Sequence, residues 1–250
     1  WRLDGSELAA DLGIPTVELL NDLQANAHGI AALGEKDLLV LNPGTPDNAG
    51  NQALISAGTG LGMAGLHRLG EQSMPFPSEG GHADFAPRNE LEIELLRYLL
   101  KEFDHVSNER VLSGPGLHNI YRFLRDTGRG AEPAWLAEKL KSGNPAAVIS
   151  RAALEASSQL CIQALDLFVN IYGAIAGNLA LEMLSTGGLY IGGGIAPKII
   201  SRLLEPSFMA AFSQKGRLQS LLQSIPVRVI LNDQAALLGA AQVAARMAGD

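Results

Sequence analysis

The sequence predicts an α/β fold dominated by one large lobe, and three observations carry that prediction. Short apolar runs with strand character alternate with longer segments of helical period. Two of those runs end in glycine clusters, at Gly58–Gly62 and Gly192–Gly194, and in α/β sheets ligands gather outside the carboxyl ends of strands. The 250 residues are 47% hydrophobic and 18% charged, enough apolar surface for a substantial core and too little charge for disorder.

The elements follow in order. Residues 5–12 have helical spacing, and Thr16–Leu20 reads as a short apolar strand. Residues 23–33 read as a helix with Gly34 as its C-cap. Leu38–Leu41 is a strand, and the Pro-, Gly-, Asp- and Asn-rich stretch Asn42–Asn51 is a loop. Gln52–Ala57 is a strand that runs into glycines. Residues 89–103 carry Leu91, Leu95, Leu96 and Leu99 on one helical face, and a further helix follows Leu117. Asn144-Pro145 supplies an N-cap and a proline at the first helical position, opening a helical region that continues with breaks to Leu184. Gly188–Ile191 and Val227–Leu231 read as strands, Pro197–Leu204 and 234–247 as helices. The pieces at the two chain ends are small, which suggests a second lobe assembled from residues 1–33 and 232–250 beside a large lobe of 34–231.

Composition narrows the function classes. The net charge of −7 argues against a nucleic-acid partner, whose footprint is basic; Lys215, Arg217 and the more distant Arg202 make only a modest cluster. Loop amides and helix N-termini can still bind phosphate on an acidic protein. The single cysteine, Cys161, forbids an intramolecular disulfide or a cysteine-based zinc site and reads as a buried small hydrophobe, in keeping with a reducing cytoplasm. The apolar stretch Leu160–Leu184 is interrupted by Gln163, Asp166, Asn170, Asn178 and Glu182, so it reads as a core helix rather than a membrane span.

Five segments have the makings of a site. Asn21-Asp22 stands at a helix start, where Asp can accept a proton from a hydroxyl and Asn can bind others, or where Asp simply caps the helix. Ala57-Gly58-Thr59-Gly60-Leu61-Gly62 follows a strand; its amides and the Thr59 hydroxyl suit phosphate oxygens, or a tight hairpin turn. It lacks the lysine of a Walker loop. Glu79 and His82 lie on a glycine-bent loop that could be structural only or could bring the two together on a polyol; a metal site would need Asp84 as well. Glu109-Arg110 could be no more than a surface ion pair. Gly192-Gly193-Gly194-Ile195 leads from a strand towards a helix that opens on Pro197, which lets a base or phosphate approach the backbone.

The ordered set LNDLQA, AGTGLG, EGGHADFAP, HVSNERVLSGPGL, GGLYIGGGIAPK, FSQKGR, PVRVILND and LLGAA resembles the bacterial-type glucokinases over essentially the whole chain. That resemblance implies the two-lobe sugar kinase architecture of the actin-like ATPase (ribonuclease H-like) fold, and an ATP-dependent phosphorylation of glucose at its 6-hydroxyl, the first step of glycolysis. It makes Asp22 the counterpart of the catalytic base and Asn21, Asp22, Glu79, His82 and Glu109 the sugar ligands. Gly58, Thr59, Gly60 and Gly62 match the second phosphate loop; Gly192, Gly193, Gly194 and Ile195 match the adenosine segment. Magnesium would arrive with ATP, no protein metal ligand is assigned, and a cytoplasmic homodimer is implied. One departure stands out. The family opens with an Asp-x-Gly-Gly-Thr-Asn type loop, and the sequence starts at Trp1 with no counterpart of it. The expectation is therefore an incomplete small lobe, with 250 residues that are a poor kinase by themselves. Among alternatives, a sugar kinase of the repressor/ORF/kinase group would carry a cysteine-rich zinc motif. A non-catalytic sugar-binding or regulatory module derived from the kinase stays open, and a repressor of that kind would carry a DNA-binding helix-turn-helix in front. A structural protein of this fold would not need the five polar residues together.

Overall fold

The computed structural model describes residues 3–70 and 72–249, so Trp1, the expected chain opening, and the outermost ends of segments 1–33 and 232–250 lie outside the described residues. The alternation of apolar residues sorts into two buried faces of one sheet. Six strands form it: β1 (Leu38–Asn42), β2 (Gln52–Ala57), β3 (Leu61–Leu69), β4 (Gln72–Ser78), β5 (Gly188–Gly192) and β6 (Val227–Ile230), in the order β1-β6-β5-β2-β3-β4. β2, β5 and β6 are mutually parallel, while β1, β3 and β4 pair antiparallel with their neighbours. Within β2, Ala53, Ile55 and Ala57 face one core and Leu54 the other; in β5, Leu189 and Ile191 oppose Tyr190. A strand with both faces covered needs apolar residues at every position, which is why these runs look continuous in the sequence.

Eleven helices surround the sheet among the described residues: α1 (Gly5–Leu12), α2 (Asp22–Gly29), α3 (Glu90–Leu99), α4 (Gly114–Asp126), α5 (Ala134–Ser142), α6 (Pro145–Leu154), α7 (Gln159–Glu182), α8 (Ile200–Leu203), α9 (Pro206–Ser213), α10 (Gln219–Ser224) and α11 (Ala235–Gly249). The larger core lies between one sheet face and α4, α6, α7 and α9, with Phe168, Tyr172, Phe208 and Phe212 inside it. Each such aromatic contributes about 1.5–3 kcal/mol by leaving water. α7 is long and apolar enough to cross a membrane, yet it runs buried through this core with Cys161 enclosed. The opposite face carries the smaller core, where Ala27 and Ile30 meet Leu54, Leu66, Ile230 and Ala235 beneath α2 and α11.

Three expectations are corrected. Thr16–Leu20 is not a strand: the segment has no ladder partner among the described residues, and instead Val17 lies against the start of α1 at Gly5. Gly34 is not a left-handed C-cap. α2 ends at Gly29 and passes into a tighter turn at Ile30–Ala32, after which Gly34, in extended conformation, starts another turn at Glu35–Asp37. Third, the helix expected over 89–103 ends at Leu99, with Lys101–Phe103 folding back in turns. β4 is an edge strand carrying Pro75 and Pro77, which cannot donate to a further ladder and so close that edge.

Candidate active site

The site grows from the first residues of β3. The glycine segment is the turn of the β2–β3 hairpin, with Ala57 paired to Leu61 and the Gly58 amide donating to the Gly60 carbonyl at 2.8 Å. The hairpin and phosphate-loop readings are therefore compatible, since the turn leaves Thr59 exposed at its tip. Gly193, at φ +84°, lies against Ala57, where a Cβ would collide with the Ala57 carbonyl. That close approach brings the second glycine cluster beside the first.

α2 arrives from the other side. Asn21 is its N-cap, the side chain accepting from the Leu23 amide at 2.9 Å, and Asp22 is the first helical residue. The cap role open to Asp22 thus falls mainly to its neighbour, although Asp22 Oδ1 also accepts from the Leu23 amide at 2.8 Å. Both side chains are exposed. Leu23 packs beneath them onto Gly62, where a Cβ would sit 3.0 Å from its methyl carbon. The helix start is thereby set beside the hairpin.

Glu79 and His82 bracket a single 3-10 turn, Gly80–His82, and both are exposed. Gly81 of that turn rests on the Leu61 carbonyl and Gly80 on the Met63 side chain. Asp84, the third group a metal site would need, pairs with His105 at 2.8 Å. No group of three His, Cys, Asp or Glu suited to a metal occurs among the described residues. A second 3-10 turn, Asn108–Arg110, joins the first: the Asn108 side-chain amide donates to the Gly80 carbonyl at 3.1 Å, and its backbone amide to the Ala83 carbonyl at 2.8 Å. Rather than pairing with Arg110, whose guanidinium stacks over Phe103 at 4.2 Å, Glu109 turns inward and its Oε2 accepts from the Leu61 amide at 2.9 Å.

All of the sequence-derived segments thus converge on residues 57–63, but the individual residues divide. A cavity of about 1030 Å³ opens beside the hairpin, lined by Gly58, Thr59, Gly194 and Ile195. Gly60, Gly62, Gly192 and Gly193 do not line it; the first two make room for Glu109 and Leu23, and Gly193 for Ala57. The rest of the wall carried no site assignment in the sequence. It comes from the N-terminal half of α4, with Gly114, Pro115 and His118, from α6, with Asn144 and Pro145 at its start and Arg151 in its last turn, and from Lys198. Ser113 caps α4 and Asn144 caps α6, each accepting from the amide three residues on. The Asn144-Pro145 helix start was legible as a local signal, but its facing the Gly58 hairpin depends on tertiary packing. Burial lowers the His118 pKa, with Arg122 and Arg125 adding to the effect.

Comparison with known proteins fits this arrangement. The profile of the glucokinase family, described as "Glucokinase", matches residues 1–247. A glucokinase of Nostoc sp. is 49% identical over 260 aligned residues, covering 99% of this chain and 76% of its own length. Among solved structures, the glucokinase of an Antarctic psychrotroph superposes with a TM-score of 0.84 at 36% identity, over 95% of this chain and 71% of its own. The glucokinase of Balamuthia mandrillaris, solved in complex with glucose, shares the fold with a TM-score of 0.76 at 21% identity, covering 91% of this chain and 65% of that one. A family profile matched from one end to the other, on a fold whose loops meet as those motifs require, leaves one assignment: the chain belongs to the glucokinase family.

Proposed function

We propose that this protein phosphorylates glucose at its 6-hydroxyl at the expense of ATP, with Asp22 as the base. The observation that supports this most directly is the convergence on residues 61–63. The α2 start with Asn21 and Asp22, the turn with Glu79 and His82, and the Glu109 carboxylate all pack against that one stretch of β3. Asn21, Asp22, Glu79, His82 and Glu109 bind the sugar hydroxyls. A hexose whose epimeric hydroxyl leaves one of these groups unpaired is rejected by a large factor. Asp22 accepts the proton of the 6-hydroxyl as its oxygen forms a bond to the γ-phosphorus and the bond to the β,γ-bridging oxygen breaks, releasing ADP. The Gly58–Gly62 hairpin presents amides and the Thr59 hydroxyl to the phosphates, and the cavity walled by Gly194 and Ile195 takes the nucleoside. Gly60, Gly62, Gly192 and Gly193 serve this site by shaping the loops. Magnesium travels with the nucleotide and neutralises phosphate charge.

The mutual packing of α2 and α11 supports a lobe formed by 1–33 with 232–250, set against 34–231. Closure of that lobe over the sugar would exclude water from Asp22. A homodimer is the assembly carried over from the family, and sedimentation equilibrium tests it. The activity is tested by sugar-dependent ADP release from the full-length protein with glucose, mannose, fructose and N-acetylglucosamine. No release with any sugar overturns the reading. Asp22→Ala is expected to lower turnover by roughly 10²–10⁴-fold while glucose still binds; surviving turnover overturns the base assignment.

A further inference from the structure

The segment from Asn108 to Gly114 touches both halves of the site. Glu109 Oε2 accepts from the Leu61 amide at the exit of the glycine hairpin. At the entry of the same hairpin, the Gly58 carbonyl accepts from the Gly114 amide at 2.8 Å. Between these two points, the Ser113 hydroxyl donates to the Glu109 carbonyl at 2.7 Å, so both grips belong to one hydrogen-bonded unit. The hairpin itself leaves no slack for Glu109 to move closer, since a Cβ at Gly60 would stand 2.6 Å from Oε2. A neighbouring bond, from the Asn108 side chain to Gly80, reaches the sugar-side turn and not the hairpin.

We infer that Glu109 is a positioning residue for the phosphate-binding hairpin, in addition to its place among the sugar ligands. One carboxylate oxygen fixes the Leu61 amide, and with it the curvature of Gly58–Leu61 and the direction of its amides. The other oxygen remains for a sugar hydroxyl. Nucleotide affinity therefore depends on Glu109 even when no sugar is present, which a residue that only binds sugar would not produce. Coupling of this kind is reciprocal, so sugar that immobilises the carboxylate tightens nucleotide binding by the same factor that nucleotide tightens sugar.

The inference rests on the hairpin being a phosphate loop, and the test separates the two. Affinity for the non-hydrolysable ATP analogue AMPPNP with magnesium is measured calorimetrically in sugar-free buffer, for the full-length protein and for Glu109→Gln, Glu109→Ala and Asn108→Ala. Gln and Ala both remove the negative charge, so repulsion of the phosphates is equal in the two. Only Gln keeps an oxygen for the Leu61 amide. The expected result is that Glu109→Ala binds AMPPNP about tenfold more weakly than Glu109→Gln, the scale of one hydrogen bond that orders a loop. Asn108→Ala is expected to keep the parent affinity. Equal affinities for the Gln and Ala variants overturn the inference, as does an equal loss in Asn108→Ala, which would trace the effect to a loosened turn. A parent protein that binds no AMPPNP at all overturns the nucleotide reading of the hairpin instead.

Discussion

His118 lines the cavity wall, and its surroundings set a pH window for the protein's stability. Burial is the main reason its imidazole titrates below the ordinary 6.5; Arg122 and Arg125 add to the shift, and Glu102 and Glu132 oppose it. His28 on α2 is shifted in the same direction, again by burial first and then by Arg246, with Glu18 opposing. A group with a lowered folded pKa binds its proton first in the unfolded chain as the pH falls. Its contribution is fully present above the unfolded value near 6.5 and is lost as the pH falls through the window down to the folded value. The His118→Gln variant is thus expected to show a shallower fall in melting temperature below pH 6.5 than the parent, and His28→Gln/His118→Gln a shallower one still; an unchanged slope would show that other groups control acid stability. Nothing in the sequence pointed to His118: the residues there read only as a helix following Leu117, and the cavity that His118 lines is walled by segments distant in the chain. Glu109 enters the site only through the family resemblance, because in isolation its neighbour Arg110 offers an obvious partner and the Leu61 amide that it bonds to lies 48 positions away.

At the scale of elements, α2 and α11 join the two ends of the chain through two glycines. A Cβ at Gly239 would collide with the Ala25 carbonyl, and one at Gly29 with the Ala235 carbonyl, so each helix backbone rests directly on the other. Gly→Ala inside a helix ordinarily stabilises by roughly 0.5–1 kcal/mol. Here the methyl meets backbone, which cannot rotate away, and overpacking of this kind costs about 1–3 kcal/mol. Gly239→Ala is therefore predicted to destabilise, with a lower urea midpoint at unchanged slope; a raised midpoint would mean that the helices separate without cost. The LLGAA motif could be read as a helix from the sequence, but not the crossing partner that makes its glycine necessary. The strands divide in a similar way. β2, β5 and β6 were legible because burial on both faces makes them largely apolar, with Gln52, Ser56 and Arg228 the exceptions at half-buried positions. β3 contains Gly62 and Gly65 and β4 contains Pro75 and Pro77, so local propensity argues against both. The hairpin turn that carries the candidate phosphate site delivers β3 in register beside β2, and β4 pairs along β3 from the next turn.

Across the whole molecule, the sheet separates two cores of unequal size. One face buries α7 along almost its whole length together with α4, α6 and α9, and the other buries a few side chains beneath α2 and α11. Local opening costs least where few apolar contacts must be broken. Amides of α7 are therefore expected to exchange with solvent deuterium only through global unfolding, whereas those of α2 and α11 open together at a lower free energy, by roughly a few kcal/mol. Asp22 is carried on the looser face, at the start of α2, while Glu109 and the glycine hairpin are braced by the tighter one. Sugar bridging Asp22 and Glu109 would tie the two together. Hydrogen exchange read by mass spectrometry, with and without glucose, should then show slower exchange in α2 and α11 on addition of glucose and no change in α7. Equal protection of both faces in the free protein would show that the sheet and its two cores open as one unit, and that Asp22 needs no sugar to be held in place.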